Sequence, residues 1–394
     1  MKLLMVSPNL PCPAWGASTR NYHLLKALAR KHTVSLLALV DRNEDTEYNL
    51  SQLKYFTRTV RIIARSASHP KRLQQVMCVV RGKSYILETN SLVEMQEALD
   101  TLLIDDQYDA VLFESMLVAG YRIPDGVKVI VDQHNIEHEL LQRTYQHETA
   151  WSRKWYNWLE SRLIKPIEIE RCRRADAVLV TSEREHLLLK NLLPRRVIEV
   201  IPNGVDTEAF QGDYLAQETS NQIIFTGTMD YYPNIDAVLF FAQQCWPLIL
   251  EQVPGVTWQI VGRKPPPEVQ RLAELPGVTV TGFVPDVQPY LARSAVAIAP
   301  LQIGSGTRLK ILEAFAMQKA VVSTSMGCEG LSVESGKHLL VADQPEAFAQ
   351  AVVELLGDPS MRIALGSAGR ALIEAEYSWE QCGAQLLHVL EEIC

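Results

Sequence analysis

Short β-branched or apolar runs alternate with longer stretches of helical periodicity along the whole chain, and nothing else in the sequence limits its fold so strongly. Candidate strands are Leu3–Ser7, Val34–Val40, Ala110–Glu114, Lys128–Asp132 and Ala177–Thr181, then Gln222–Thr226, Thr257–Val261, Val278–Thr281, Val296–Ala299 and Ala320–Ser323. A strand buried on both faces reads as a continuous apolar run, and its parallel neighbour is reached only through a crossover, usually a helix. The pattern therefore predicts an α/β chain with two successive doubly wound parallel sheets of Rossmann type. A length of 394 residues lets each bury its own core. Val200 to Asp206 reads as a last strand running into a turn, with Asn203-Gly204 supplying positive φ, and a polar stretch from Gln211 to Gln222 follows. The predicted domains are accordingly residues 1–210 and 211–376. Residues 377–394 hold a helix from Trp379 to Ile393 with Leu386, Leu387 and Leu390 on one face, expected to pack back toward the N-terminal domain.

Charge is divided unevenly between the halves. Residues 1–205 hold 28 Lys and Arg against 24 Asp and Glu, and residues 206–394 hold 10 against 22. From Lys54 to Lys83 eight bases occur without one acid, a tract that would attract an anionic surface or ligand. Nucleic acid is a poor candidate, because no recognition helix accompanies the tract and the acidic second half would repel a polyanion. Seven scattered cysteines without a Cys-x-x-Cys pair speak against a disulfide framework or a zinc site and fit a reducing cytoplasm. The apolar core ahead of Ser7-Pro8 is too short for a signal peptide, and no apolar run has spanning length. The expected location is cytoplasmic, with any membrane contact peripheral at the inner face.

The stretch from Ala299 to Ala316 carries the most chemistry. A strand leads through Gly304-Ser305-Gly306 and Thr307 into a helix. Glycines there let amides at the helix start approach a phosphate, and the helix dipole favours negative charge at that end. Arg308 and Lys310 add fixed positive charge beside a diphosphate, and Glu313, one turn further in, is placed to accept hydrogen bonds from ribose hydroxyls. The bland alternative is a plain loop with a solvated Arg and Lys.

Gly304–Ala316, including Leu312, followed by Ala320-Val-Val-Ser-Thr324, resembles the donor-binding region of the family 4 retaining glycosyltransferases. The resemblance implies a GT-B architecture, two Rossmann-like domains facing a central cleft, with a nucleotide-sugar donor, UDP- or GDP-linked, held by the second domain and no cofactor. That family carries two glutamates eight positions apart. The second matches Glu313 and the first falls on Ser305, leaving the Ser305 hydroxyl and local amides in place of a carboxylate. Phe225-Thr-Gly227-Thr-Met-Asp230 with Pro233-Asn234 is similar to the family's first donor-domain loop, without its usual Arg. Ile260-Val-Gly-Arg263 resembles the strand that ends against the nucleobase, and Gly282-Phe-Val284-Pro-Asp-Val287 the loop whose backbone reads the base edge. In the first half, the proline-rich loop to Gly16-Ala17-Ser-Thr-Arg20 resembles the family's first glycine loop, with Ala17 in the second glycine's place. His134, in Asp132-Gln-His-Asn-Ile-Glu137, matches the histidine facing the donor's anomeric centre. A histidine there stabilises charge through a ring N–H; the alternative is a strand-end histidine bonded to a carbonyl. Glu137 and Glu139 read as solvated helix-start acids.

Trp151, Trp155 and Trp158 fall at i, i+4 and i+7 among Arg153, Lys154, Arg162 and Lys165. Such a helix can lie on an anionic bilayer and present the enzyme to a lipid-linked acceptor; tryptophans packed into the core with solvated bases would give the same pattern. A dehydrogenase is disfavoured because no Gly-x-Gly-x-x-Gly follows the first strand, and a P-loop because Met77 stands where the first glycine before Gly82-Lys83-Ser84 belongs. The expectation is a retaining hexosyltransferase of polysaccharide or glycoconjugate biosynthesis, with a saccharide or lipid-linked saccharide as acceptor. No Asp-x-Asp metal motif occurs, so cationic side chains are expected to do the work of a metal. The alternatives are a nucleotide-sugar epimerase and a non-catalytic nucleotide-sugar-binding protein on the same fold.

Overall fold

The computed structural model describes every residue except 14–15, 42–45, 66–69, 149, 211–217 and 305–307. Ser305, Gly306 and Thr307, read above as donor contacts, lie outside the described residues. The chain divides into two compact units: Met1–Asn203 with Glu380–Cys394, and Gly204–Trp379.

The first unit is a 7-stranded parallel sheet of β1 (Lys2–Ser7), β2 (Thr33–Val40), β3 (Thr59–Ala64), β4 (Ala110–Phe113), β5 (Lys128–Gln133), β6 (Ala177–Val180) and β7 (Val197–Val200), in the order β3-β2-β1-β4-β5-β6-β7. The inner strands are apolar along their length because helices cover both faces: β4 reads Ala-Val-Leu-Phe and β6 Ala-Val-Leu-Val, every residue buried. β3 escaped the sequence reading. It is an edge strand with no buried residue, and Arg61 interrupts its apolar run. Strand order reverses between β1 and β4, and in open sheets of this kind ligands collect beyond the carboxyl ends at such a reversal.

The second unit is a 6-stranded parallel sheet of β8 (Thr219–Thr226), β9 (Thr257–Val261), β10 (Val278–Gly282), β11 (Ser294–Ala299), β12 (Ala320–Ser323) and β13 (Leu340–Val341), ordered β10-β9-β8-β11-β12-β13, with its reversal between β8 and β11. Phe241, Trp246, Trp258 and Phe348 fill one core, with Phe241 and Trp258 edge to face at 4.7 Å. Leu312, Phe315, Met317 and Tyr377 fill a second.

Gly204 differs from expectation in its physical role. It is not among the positive-φ glycines; it is small because a Cβ there would come within 2.9 Å of the Trp379 ring. Beside it Val205 and Ser378 form a parallel bridge, so the two points where the chain passes between units adjoin each other. The helix Trp379–Ile393 buries Cys382, Leu386, Leu387 and Leu390, and Gly383 faces Ala27 so closely that a Cβ would stand 2.5 Å from the alanine's.

Candidate active site

In the second unit the loops leaving β8, β9 and β10 are sewn together by their backbones at the carboxyl edge. Gly227 N–H donates to Val261 O at 3.0 Å, Met229 N–H to Arg263 O at 2.9 Å and Gly262 N–H to Gly282 O at 3.2 Å. The approach is so close that a Cβ on Gly262 would lie 1.7 Å from Gly227 O. Gly227, Arg263 and Val284 are thus brought to one edge. From β11 the chain runs through Gly304, at φ +130°, to Arg308 and the helix Leu309–Ala316. No described side chain caps that helix start, where the positive end of the helix dipole lies, and Ile311 N–H turns back to Arg308 O at 2.9 Å. The loop is strapped from behind: Thr324 Oγ1 donates to Leu301 O at 2.5 Å, and Arg308 Nη2 donates to Met326 O at 3.0 Å.

Lys310 and Glu313, three residues apart, share one helix face. Lys310 Nζ donates to Asn234 Oδ1 at 2.6 Å and sits 4.1 Å from the centroid of the Phe225 ring. Asn234 in turn donates to Thr228 O at 2.9 Å, tying the lysine to the Gly227 loop. Burial first, then the neighbouring Arg308 guanidinium, bring the Lys310 ammonium down to about 7, against the opposing pull of Glu313. Burial likewise lifts the Glu313 carboxyl to about 7, with Lys310 opposing. Leu312, grouped above with the donor contacts, is a fully buried core side chain whose N–H already turns to Arg308 O. Asn234 is the partner that sequence reading missed as a functional group, although its place just after Pro233 at a helix start marked it as a polar residue near the loop.

In the first unit Gly16 opens the helix Gly16–Ala29, which carries Arg20. Arg20 is buried and forks onto Asp132 at the end of β5, Nε to Oδ2 at 2.7 Å and Nη2 to Oδ1 at 2.9 Å, while Nη1 donates to Pro202 O and Asn203 Oδ1. His134, one residue beyond β5, places Nε2 3.3 Å from Asp132 Oδ2 and 3.4 Å from Glu114 Oε2, at the end of β4. Burial disfavours the imidazolium, but the charge and hydrogen bonds of Asp132, and then the bond to Glu114, overcome it and raise His134 to about 9. Burial also opposes ionisation of Asp132, yet Arg20 and His134 hold it well below the usual carboxylate range; Glu114 is pushed up by burial and by Asp132. His134 thus contacts two carboxylates, and with its value near 9 the cationic form is favoured at neutral pH. The Glu114, Asp132 and His134 ligand atoms lie within 4.8 Å of one another, the grouping a metal would need. Here, however, the guanidinium occupies both Asp132 oxygens and the imidazole carries its proton toward the carboxylates. The signal for this cluster was a carboxylate ending each of two adjacent buried strands.

Two readings need correction. Glu137 and Glu139 are only partly exposed, not freely solvated. Burial first, then Glu168, lift Glu137 to about 7, and Glu139 is gripped by Arg143 at 3.3 Å and by Arg184. The helix start at Glu137–His147 is covered by buried Glu168 from the helix Trp151–Arg174, which accepts from the Glu137 and His138 amides at 2.8 and 3.1 Å. The tryptophans are not core residues either: that long helix buries Glu160, Ile164, Glu168 and Cys172, while Trp151, Trp155 and Trp158 face outward.

Two parallel-sheet Rossmann-like units, each with charged groups at its strand ends, define the GT-B architecture. Residues 220–358 match the family model described as Glycosyl transferases group 1, and residues 15–209 the one described as Glycosyltransferase Family 4. The chain belongs to the family 4, group 1 glycosyltransferases, and it is a transferase enzyme. A protein of the cps region of Klebsiella pneumoniae is 22% identical over 89% of this chain and 90% of its own length. A GDP-mannose-dependent alpha-(1-6)-phosphatidylinositol monomannoside mannosyltransferase of Mycobacterium tuberculosis is 27% identical over 64% of this chain and 69% of its own. Among solved structures, sucrose-phosphate synthase from Thermosynechococcus elongatus superposes with a TM-score of 0.74 at 19% identity, covering 100% of this chain and 99% of its own. Neither the epimerase nor the non-catalytic binder is favoured by these likenesses. Among the described residues no helix is long and apolar enough to cross a membrane.

Proposed function

We propose that the protein is a retaining hexosyltransferase that takes a UDP- or GDP-linked hexose in its second unit and transfers the sugar to a saccharide or lipid-linked saccharide, in polysaccharide or glycoconjugate assembly at the cytoplasmic face of a membrane. The observation that carries this reading is the start of the helix Leu309–Ala316 at the edge of the sheet, uncapped by any described side chain, with Arg308, Lys310 and Glu313 around it. The donor diphosphate sits on those amides, and Arg308 and Lys310 offset the charge that grows on the leaving phosphate, without a metal ion. Glu313 accepts from the ribose hydroxyls, and the loops at Gly227, Arg263 and Val284 hold the nucleoside. His134, a cation at neutral pH, donates to the reacting sugar. The acceptor hydroxyl attacks from the face of the departing phosphate, whose oxygen takes its proton, so configuration is retained. The name of the mycobacterial relative supports a nucleotide-linked donor and a lipid-linked acceptor.

Lys310→Ala is expected to lower kcat by about 10²–10³, the range for removing a charged stabiliser of a leaving group. Glu313→Ala is expected to raise donor KM with a smaller effect on kcat, and His134→Ala to cut transfer more than donor affinity. A thermal-shift panel of nucleotide sugars identifies the donor first, because a ligand of the folded state alone raises Tm. Wild-type kinetics in both Lys310→Ala and Glu313→Ala would remove this site.

A further inference from the structure

The helix Lys71–Val80 has no buried residue, although Leu73, Val76, Met77 and Val80 form a continuous stripe at i, i+3, i+4 and i+7. Leu73 is 48%, Val76 59% and Val80 81% exposed, so the apolar stripe faces away from the unit. Ten residues make a marginal helix in water unless an apolar face is covered. The helix Trp151–Arg174 stands beside it. Ser84 Oγ and Ile86 N, just past the short helix, donate to Glu160 of that neighbour at 2.5 and 3.1 Å. That neighbour exposes Trp151 at 82%, Trp155 at 51% and Trp158 at 39%.

Charge says what covers these faces. Lys71, Arg72, Arg81 and Lys83 flank the stripe, and Arg153, Arg162 and Lys165 stand out among the tryptophans. No acid occurs from residue 54 to 83, and the only acid from 151 to 165 is Glu160, buried and bonded inward. A protein partner of ordinary mixed charge leaves such an array unbalanced, whereas an anionic bilayer balances all of it and takes the apolar groups into its boundary layer. We infer that the helix Lys71–Val80 and the first turns of the helix Trp151–Arg174 form one composite surface that docks the first unit onto an anionic lipid bilayer. This rests on the proposed lipid-linked acceptor for its biological sense, but its physical content is independent of the donor site.

The full chain is floated with vesicles of phosphatidylcholine alone and with vesicles containing phosphatidylserine, at low and high salt. Binding to the anionic vesicles only, weakened at high salt and accompanied by a blue shift of tryptophan emission, is expected. Val76→Asp with Val80→Asp, and separately Trp155→Ser, should each lower the bound fraction about tenfold. Ile363→Ser, an exposed apolar residue of the second unit, should leave binding unchanged. All these positions are exposed, and Tm in each variant checks that the fold survives. Donor turnover measured without vesicles should be unaltered in every variant, so loss of docking and loss of the glycosyltransferase reading are separate results. Wild-type protein that stays with the soluble fraction, or variants that float like wild type, overturn the proposal. Concentration-dependent self-association that the aspartates abolish, in the absence of vesicle binding, overturns it in favour of a second copy of the chain.

Discussion

The charged clusters at the strand ends of the two units are built on opposite principles. In the first, Arg20, Asp132, Glu114 and His134 are interlocked, with the guanidinium fork at 2.7 and 2.9 Å and His134 raised to about 9. The charges of Asp132 and His134 in that cluster are held across the neutral range. In the second, Lys310 leans on a neutral amide and a ring, and both it and Glu313 are near 7. A group that presents an N–H to a reacting sugar works with a locked charge, because nothing has to reorganise during the reaction. A grip on a diphosphate that arrives and leaves in every turnover works with a charge that follows its ligand.

The largest break in this contrast is Asp132→Asn. It keeps the shape of the side chain but leaves Arg20, with 1% of its side chain exposed, without its counter-charge. Removing one partner of a buried ion pair costs about 3–5 kcal/mol. Denaturant unfolding should show that loss in the first unit, and His134 should titrate lower, since Asp132 is its chief support. Lys310→Met in the second unit removes a half-buried amine whose direct contacts are an amide and a ring, and should cost far less, or nothing. Equal losses in the two variants would mean that the first cluster is not locked.

A smaller effect appears in the pH dependence of stability. The folded His134 value of about 9 lies above its unfolded value near 6.5, so its contribution is complete below about 6.5 and is lost as pH rises through 9. The change is of order 3 kcal/mol. Lys310 runs the other way: its folded value of about 7 lies below 10.5, so the penalty for its burial is lifted as pH rises from about 7. Hydrogen exchange at β5 and β6, corrected for intrinsic rates, should show protection falling from pH 6.5 to 9, and protection at β8 and β11 should not fall. His134→Gln should flatten the first slope; a slope that survives it assigns the effect elsewhere.

How much of this was legible in the sequence depends on what each signal measures. Buried parallel strands announce themselves because both faces must be apolar; thus β9 and β12 were read at their observed limits. β3 was not read, since an edge strand has no such demand, and β13 is only 2 residues long. Arg308, Lys310 and Glu313 could be singled out because a glycine loop running into a helix start is a local sequence pattern, and the structure places all three at that helix start. The bond from Asn234 to Lys310 and the Arg20–Asp132 fork were not, because they join residues 76 and 112 positions apart and need the fold to bring them together. Gly204 was assigned positive φ from a local pattern, while its real constraint is the distant Trp379 ring. The tryptophan helix could not be oriented because its buried positions include Glu160 and Glu168, so polarity does not mark its outer face.

The finest test of the contrast lies in the protons that accompany donor binding. At pH 8 Lys310 is largely neutral in the free protein, and a diphosphate beside it favours the ammonium, so binding takes up part of a proton. At pH 6 Lys310 is already charged and Glu313 is largely protonated. Ribose hydroxyls that donate to Glu313 favour its carboxylate, so binding there releases part of a proton. Net exchange therefore changes sign near pH 7, and titration calorimetry in buffers of different ionisation enthalpy reads it directly. Lys310→Met should abolish the uptake at pH 8 and Glu313→Gln the release at pH 6. His134→Gln should change neither, because at about 9 that residue stays protonated throughout. Exchange that keeps one sign from pH 6 to 8, or that follows His134, would place the yielding charge in the wrong unit.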